Sequence, residues 1–166
     1  MTRRNTLLGL GIGSMAAAVA GLRGLLGSEP AQAATPVAYE LTRSDAEWKN
    51  QLQPAQYRVL REAGTETPYT SPLNKEKRSG VYSCAGCALP LFSSKTKFES
   101  GTGWPSFWQA MDKAVVEESD TTLFMKRVEV LCRRCGGHLG HVFDDGPKPT
   151  GLRYCMNGVA LNFKEA

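Results

Sequence analysis

The chain has 166 residues, of which 42% are hydrophobic and 22% are charged, a size and composition that fit one modest globular domain. Its formal net charge is +4, and removing residues 1–33, with their three arginines and one glutamate, lowers it by two to +2. This near balance, together with basic clusters that lack interleaved aromatic residues, excludes a nucleic-acid-binding surface.

Residues 1–33 have the pattern of an export signal. Arg3 and Arg4 give a positively charged start, residues 7–22 are weakly apolar and rich in glycine and alanine, and Ala31-Gln32-Ala33 is typical of a cleavage site. The paired arginines resemble a twin-arginine signal. We therefore expect export, to a bacterial periplasm, with cleavage near residue 33.

An uncleaved membrane anchor is the alternative interpretation of this segment. Arg23 interrupts the apolar run before it reaches the roughly 20 residues that a bilayer core requires. Thr6 and Leu8 depart from the usual twin-arginine residues, so the route of export stays open. We expect no stable membrane insertion after cleavage and a single domain over residues 34–166.

Two short helices are predicted at the start of this domain. Ser44 to Glu47 reads Ser-Asp-Ala-Glu, a capping box in which each side chain satisfies a free amide at a helix start. Pro54 ends that helix and can open a second one, for which Gly64 is a C-terminal cap. Residues 65–80 are rich in Pro, Ser, Thr, Lys and Gly and are predicted to form a long surface loop.

The remaining segments are short, several alternate between apolar and polar residues, and Gly, Pro and Asp bound them. The predicted strands are Val81–Tyr82, Ala114–Val116, Leu123–Leu131, His138–Phe143, Arg153–Asn157 and Val159–Phe163. We therefore expect an α+β fold that is mostly antiparallel β, with two helices that lead into a rolled sheet.

Four of the five cysteines form two Cys-x-x-Cys pairs, Cys84/Cys87 and Cys132/Cys135. Four thiolates fill a closed tetrahedral zinc site, and glycines in or just after each pair let backbone amides turn toward sulfur. We predict one structural Zn²⁺ that ties the Cys84 region to the end of the Leu123–Leu131 strand. Two disulfides are the alternative, because an exported protein can hold them.

Cys155 has no partner in this scheme, which makes it a candidate nucleophile. Side chains two apart on a strand share a face, so Arg153, Cys155 and Asn157 point one way while Tyr154 and Met156 point the other. A free cysteine titrates near pH ~8.5, and a guanidinium or imidazolium beside it favours the reactive thiolate. The alternative is an inert, buried core residue.

His138 and His141 are the only two histidines of the chain, and they follow the second cysteine pair. Two histidines and one thiol suggest acid–base chemistry. A spacing of three places them on opposite faces of a regular strand, so both can serve one site only if the nearby glycines allow a bend or a bulge. Zinc ligation is the alternative role, although four cysteines already fill a tetrahedral site.

Taken in order, these motifs resemble those of the peptide methionine-R-sulfoxide reductases. The resemblance covers roughly residues 40–164 and rests on both Cys-x-x-Cys pairs and on three segments, which are Ser100–Phe107 (SGTGWPSF), His138–Phe143 (HLGHVF) and Arg153–Asn157 (RYCMN). It implies two antiparallel sheets stapled by zinc. The implied activity is reduction of the R epimer of methionine sulfoxide in proteins or peptides.

The resemblance also implies roles for individual residues. Cys155 would attack the sulfoxide sulfur and become a sulfenic acid, while the four paired cysteines would hold the zinc. Trp104 would form an apolar wall against the methyl group of the substrate; plain core packing is the alternative for this side chain. The catalytic and substrate-binding residues expected around Cys155 are His138, His141, Asn157, Arg153, Trp104, Phe107 and Phe143.

Thr102 departs from the family pattern, because many members have a recycling cysteine at that position. With the other four cysteines assigned to zinc, we expect an external thiol to reduce the sulfenic acid, whether thioredoxin-like, glutaredoxin-like or a small molecule.

A zinc-stapled binding module is an alternative function, but it has no need of Cys155 on a polar face beside two histidines. A general disulfide oxidoreductase would need two redox thiols.

Overall fold

The computed structural model describes residues 38–121 and 126–166. The predicted export signal lies outside the described residues, as does part of the predicted strand Leu123–Leu131. Within the described ranges, none of the helices has both the length and the apolar character needed to cross a bilayer.

Two short helices precede the sheets, as predicted. Helix α1 (Asp45–Gln51) begins with the predicted capping box, in which the Ser44 backbone N–H donates to Glu47 Oε2 (2.7 Å) and the Glu47 backbone N–H donates to Ser44 Oγ (3.4 Å). Helix α2 (Pro54–Glu62) begins at the predicted proline. The left-handed residue that ends it is Ala63, with φ of 50°, so the predicted cap at Gly64 is wrong by one residue.

The strands form two sheets in which all neighbouring strands are antiparallel. The smaller sheet has the order β2-β1-β9, and the larger one has the order β3-β4-β8-β7-β6-β5. The described residues give nine strands, β1 (Gly80–Cys84), β2 (Pro90–Ser93), β3 (Lys97–Phe98), β4 (Ser106–Phe107), β5 (Val115–Asp120), β6 (Arg127–Cys132), β7 (His138–Phe143), β8 (Arg153–Met156) and β9 (Leu161–Glu165). The predicted α+β fold with mostly antiparallel strands is confirmed.

Several boundaries differ from the predictions. Strand β9 begins at Leu161 rather than at Val159, because residues 158–160 form a turn of 3₁₀-helix. The segment 65–80 is not only a surface loop, since Glu66 is 8% exposed and Ser71 is 5% exposed. Strands β3 and β4 have two residues each, too few to show the alternation that identifies a strand.

The core between these elements is rich in aromatic side chains. The ring of Phe107 stacks on Phe92 with 4.4 Å between centroids and meets Tyr82 edge-on at 4.9 Å, geometries that are favourable for aromatic pairs. All three side chains have no exposed surface. This cluster packs β4 against β1 and β2 of the smaller sheet, and β4 pairs with β8, which carries Cys155.

Candidate active site

Cys155 lies in the middle of β8, between β4 and β7. Its register partners are Ser106 on β4 and His141 on β7. The side chain borders a pocket of about 140 Å³ that is lined by Thr65, Trp104, Arg127, Gly140, His141, Phe143, Cys155 and Asn157. Pockets for drug-sized ligands have roughly 300–1,000 Å³, so this one fits a single amino-acid side chain.

Arg153 shares the face of Cys155, as the alternation predicted. Its guanidinium donates to both carboxylate oxygens of Asp145 (2.7 and 2.8 Å) and lies 4.4 Å from the centroid of the Phe143 ring. The hydrogen bond to Asp145 is the largest cause of the raised pKa of Arg153, and the sulfur of Cys155 contributes in the same direction. The contacts with Asp145 and Phe143 fix the guanidinium on the face of β8 that carries Cys155.

His141 lines the pocket on the β7 side of Cys155. Its Nε2 donates to Asp120 Oδ2 at 2.9 Å, and the same carboxylate oxygen accepts from Arg127 at 2.7 Å. Burial lowers the pKa of His141, while the hydrogen bond to Asp120 opposes this shift. The contact with Asp120 also fixes the orientation of the imidazole ring.

His138 lies behind His141 and does not line the pocket. It is 4% exposed, its Nδ1 donates to Glu129 Oε1 at 2.5 Å, and its ring centroid lies 5.4 Å from that of His141. The two rings approach each other because the β6–β7 register shifts between Val130 and Leu131, which is the irregularity that the spacing of three required.

Gly140 allows β7 to approach β8 closely. It has φ of 156°, and a Cβ at this position would lie 2.1 Å from the carbonyl oxygen of Cys155. No residue with a side chain fits there without displacing β8. The glycine between the two histidines therefore sets the distance between His141 and the Cys155 strand.

Trp104 and Asn157 both bind the backbone of Glu66. The indole Nε1–H of Trp104 donates to the carbonyl oxygen of Glu66 at 2.9 Å. The side chain of Asn157 is 4% exposed; its Oδ1 accepts from the Glu66 backbone N–H (2.8 Å) and its Nδ2 donates to the Leu139 carbonyl (3.1 Å). Both residues line the pocket, whereas Phe107, predicted to bind substrate, lies in the core and does not.

Three polar residues in or beside the pocket were not predicted from the sequence, namely Glu66, Asp120 and Arg127. Glu66 stands in a segment with a loop-like composition, and nothing in its neighbourhood marks it as buried. Asp120 ends β5 and Arg127 begins β6, and the two are register partners at the end of the β5–β6 hairpin where the strands are connected. That pairing places both near His141, but only the register, which the sequence alone does not give, brings them together.

The comparisons with known proteins agree with this geometry. The model of the SelR domain matches residues 52–165. The chain belongs to the SelR domain family. Within this family it is similar to proteins named peptide methionine sulfoxide reductase MsrB, so it is an oxidoreductase of the methionine sulfoxide reductase class.

Three relatives illustrate the similarity. The protein of Leptospira interrogans is 54% identical over 128 residues, which are 76% of this chain and 98% of the relative. That of Methanosarcina barkeri is 58% identical over 123 residues, 74% of this chain and 87% of the relative. That of Thiobacillus denitrificans is 56% identical over 122 residues, 73% of this chain and 92% of the relative.

Besides the Cys155 sulfur, the chain has a cluster of four further sulfur atoms. The four Sγ atoms of Cys84, Cys87, Cys132 and Cys135 all lie within 4.8 Å of one another. The Cys84–Cys135 and Cys87–Cys132 distances are 3.8 and 3.4 Å, far longer than a disulfide bond of about 2.05 Å. A tetrahedral ion with metal–sulfur bonds of about 2.3 Å separates its sulfurs by about 3.8 Å. The donor set therefore fits a metal ion.

The two helices cover this sulfur cluster. A Cβ built on Gly86 would lie 3.6 Å from both Trp48 and Leu60, the buried side chains of α1 and α2, and 3.7 Å from the sulfur of Cys84. Cys84 is the last residue of β1 and Cys132 is the last residue of β6, and Cys87 and Cys135 lie in the turns that follow. An ion held here links the smaller sheet to the larger one.

Proposed function

We propose that this protein reduces the R epimer of methionine sulfoxide in proteins or peptides and that Cys155 is the nucleophile. The observation that carries the proposal is the placement of the Cys155 sulfur in a pocket sized for one side chain, between an aromatic wall and a histidine. The family relationship supports the sulfoxide as the group that is reduced. The site offers a residue for each role that such a reaction needs, namely the nucleophile, the proton donor and the apolar contact for the substrate.

The net reaction transfers one oxygen atom from the substrate sulfur to the enzyme sulfur. The Cys155 thiolate attacks the sulfoxide sulfur and forms an S–S bond, while the sulfoxide oxygen takes up two protons and leaves as water. Water then attacks the Cys155 sulfur, the S–S bond breaks with its electron pair going to the methionine sulfur, and Cys155 is left as a sulfenic acid with release of one proton. The substrate sulfur gains two electrons and the Cys155 sulfur loses two. Arg153 lies on the same face of β8 as Cys155, with its guanidinium held by Asp145.

His141 is the proposed proton donor to the sulfoxide oxygen, because it lines the pocket and His138 does not. A sulfoxide oxygen is a poor leaving group unless it is protonated, and an imidazolium is a suitable acid near neutral pH. The lowered pKa of His141, which results mainly from burial, makes the protonated ring a stronger acid. His138, with its partner Glu129, supports the His141 ring from behind.

Trp104 is proposed to select the R epimer. The indole ring offers an apolar surface to the methyl group of the substrate, while His141 on the other side offers a donor to the oxygen. An S epimer would exchange these two groups and place the oxygen against the apolar ring without a hydrogen bond, which costs free energy.

The sulfenic acid is proposed to be reduced by an external thiol. The structure includes all five cysteines, and the four other than Cys155 lie together in the sulfur cluster. Thr102, next to Cys155, has no thiol to offer. Two equivalents of a thiol, or one dithiol of the thioredoxin type, would convert the sulfenic acid to thiol and water and become a disulfide.

Zinc is the ion that we propose for the sulfur cluster. Four thiolates at tetrahedral spacing are typical of structural zinc sites, in which no coordination position remains open for substrate. Cys84, Cys87, Cys132 and Cys135 would hold it. When bound, the ion would supply stability and no step of the reaction.

We also propose that residues 1–33 direct export to a periplasm, on the basis of the charged start, the apolar stretch and the cleavage pattern. Fractionation of a bacterial host that expresses the full chain, followed by N-terminal sequencing, tests this proposal. A product that retains Met1 in the cytosol would contradict it.

The experiment that tests the activity is the reduction of each epimer of a peptide methionine sulfoxide with dithiothreitol as the reductant. We expect methionine to form from the R epimer only. Equal reduction of both epimers, or none of the R epimer, would contradict the proposal.

A further inference from the structure

Glu66 makes three hydrogen bonds in and beside the walls of the Cys155 pocket, two of them to the lining residues Trp104 and Asn157, although it does not line that pocket itself. Its backbone carbonyl accepts from the Trp104 indole (2.9 Å), and its backbone N–H donates to Asn157 Oδ1 (2.8 Å). Its carboxylate Oε2 accepts from the Gly158 backbone N–H (2.6 Å). Glu66 thus connects the indole of Trp104 with the backbone segment that follows Cys155.

Asn157 and Gly158 both bind Glu66, the first through the Glu66 backbone N–H and the second through the Glu66 carboxylate. Asn157 precedes the 3₁₀ turn at residues 158–160, a position from which its side chain usually caps the first free amides. It does not do so here, because that side chain is already engaged with Glu66 and Leu139. The carboxylate of Glu66 supplies the missing cap from 92 positions away in the chain.

The packing around Gly158 leaves no space for a side chain at this position. A Cβ at this position would lie 1.8 Å from Ser71 Oγ and 3.2 Å from Glu66 Oε2. Glu66 is 8% exposed, so its charge depends on fixed partners rather than on water. Burial raises the pKa of Glu66, while hydrogen bonds from the Gly158 and Val159 amides act against this shift. The carboxylate is therefore held in one position by groups that cannot move apart cheaply.

We propose that Glu66 is a positioning residue for sulfoxide reduction, which sets the distance between the Trp104 wall and the Cys155 sulfur by holding Trp104 through its backbone and the 157–160 turn through its side chain. The inference rests on the proposed function, because it assumes that Trp104 and Cys155 act on the same substrate. A small displacement of such a wall is enough to reduce catalysis severely.

Two substitutions separate the reach of this side chain from its charge. Glu66→Asp keeps the negative charge but withdraws the oxygen by one methylene from Gly158 N–H. Glu66→Gln loses the charge but keeps both the length and an acceptor oxygen. Glu62→Ala, at an exposed position of α2, is the control. If position matters, the Asp variant is affected more than the Gln variant.

The readouts are KM and kcat for an R-sulfoxide peptide with dithiothreitol, and hydrogen exchange of the Trp104 indole N–H followed by NMR. For Glu66→Asp we expect KM to rise about tenfold, kcat to fall less than KM rises, and the indole N–H to exchange faster. Glu66→Gln should stay within about threefold of the wild type in KM and kcat, and Glu62→Ala should change neither readout.

A KM of the Asp variant equal to that of the wild type would overturn the inference, as would a Gln variant that is more impaired than the Asp variant. A kcat that falls with the folded fraction while KM stays constant would show a merely structural role and would also overturn it. Failure of the proposed function is distinguishable, because the wild type would then be inactive on the R epimer while the order of indole exchange rates still tests the positioning.

Discussion

The hydroxyl oxygen of Thr102 lies 3.7 Å from the sulfur of Cys155. The loop that carries Thr102 is fixed by hydrogen bonds from Ser100 Oγ, which lies 2.8 Å from the Thr102 hydroxyl and 2.7 Å from that of Ser106. A side chain at position 102 therefore reaches the nucleophile directly. If Cys155 forms the proposed sulfenic acid, the chemistry of the side chain at position 102 determines how this acid is recycled.

Thr102→Cys should change the recycling route. The introduced thiol can attack the Cys155 sulfenic acid, with loss of water, provided that the two Cα atoms approach within about 7 Å. After one equivalent of R-sulfoxide we expect an intramolecular disulfide in the variant, measured by mass spectrometry of peptides. Thr102→Ser, which keeps the hydroxyl, should accumulate the sulfenic acid as the wild type does. A disulfide to any of the four clustered cysteines in the wild type would contradict the account.

Asp120→Asn should move the pH profile of kcat to lower pH. If protonated His141 is the donor, kcat falls as pH rises through its pKa, which burial already lowers. The Asp120 carboxylate raises this pKa, so the neutral amide lowers it further and the alkaline decline begins earlier. Asp112→Asn, at an exposed position, is the control. A profile unchanged by Asp120→Asn would remove His141 from the role of proton donor.

Cys132→Ser should release the metal ion and destabilise the whole domain. Structural zinc contributes roughly 10–16 kcal/mol of apparent binding free energy in small peptides, which is comparable to or larger than the 5–15 kcal/mol stability of a typical domain. We expect about one zinc per wild-type chain by metal analysis and a loss of cooperative thermal unfolding in the variant. Cys155→Ser should keep both the zinc and the melting temperature. Metal-free wild-type protein with two disulfides would contradict the assignment.

Trp104→Ala should lower kcat/KM for the R-sulfoxide by about 100-fold, because the apolar contact with the methyl group of the substrate is lost. Trp104→Phe keeps an aromatic wall but lacks the N–H that donates to Glu66, so we expect a loss of less than tenfold. Steady-state kinetics on both epimers measures the effects. A Trp104→Ala enzyme within twofold of the wild type would show that the indole ring only packs.

Local chemistry made parts of the fold predictable. The capping box at Ser44 and the proline that opens α2 act within one helical turn, and each stands where the sequence predicts it. The strands around His138 and Arg153 could be predicted because both are short segments bounded by Gly, Pro or Asp, and in the second one Tyr154 and Met156 alternate with more polar residues. The four-cysteine cluster was predictable because thiols that share one ion must converge, whatever the number of residues between them.

The parts that could not be predicted depend on register and on burial in three dimensions. Asp120 reaches His141 only because β5 pairs with β6 and β6 with β7 in particular registers. Glu66 is buried because Asn157 and Gly158, far away in the chain, satisfy its polar groups. Composition assigns such a residue to the surface, since an isolated carboxylate is rarely buried. Asp120 and Glu66, which hold the residues of the pocket in place, therefore stand in segments whose sequence resembles that of a loop.

The most direct test of the central claim, that Cys155 takes the oxygen from the sulfoxide, is a single turnover without reductant and with dimedone present. We expect the R epimer to yield one methionine per active site, together with one dimedone adduct on Cys155 by mass spectrometry, and the S epimer to yield neither. The Cys155→Ser variant should form no methionine. Methionine formation by that variant at even a tenth of the wild-type rate would contradict the claim, as would an adduct on another cysteine.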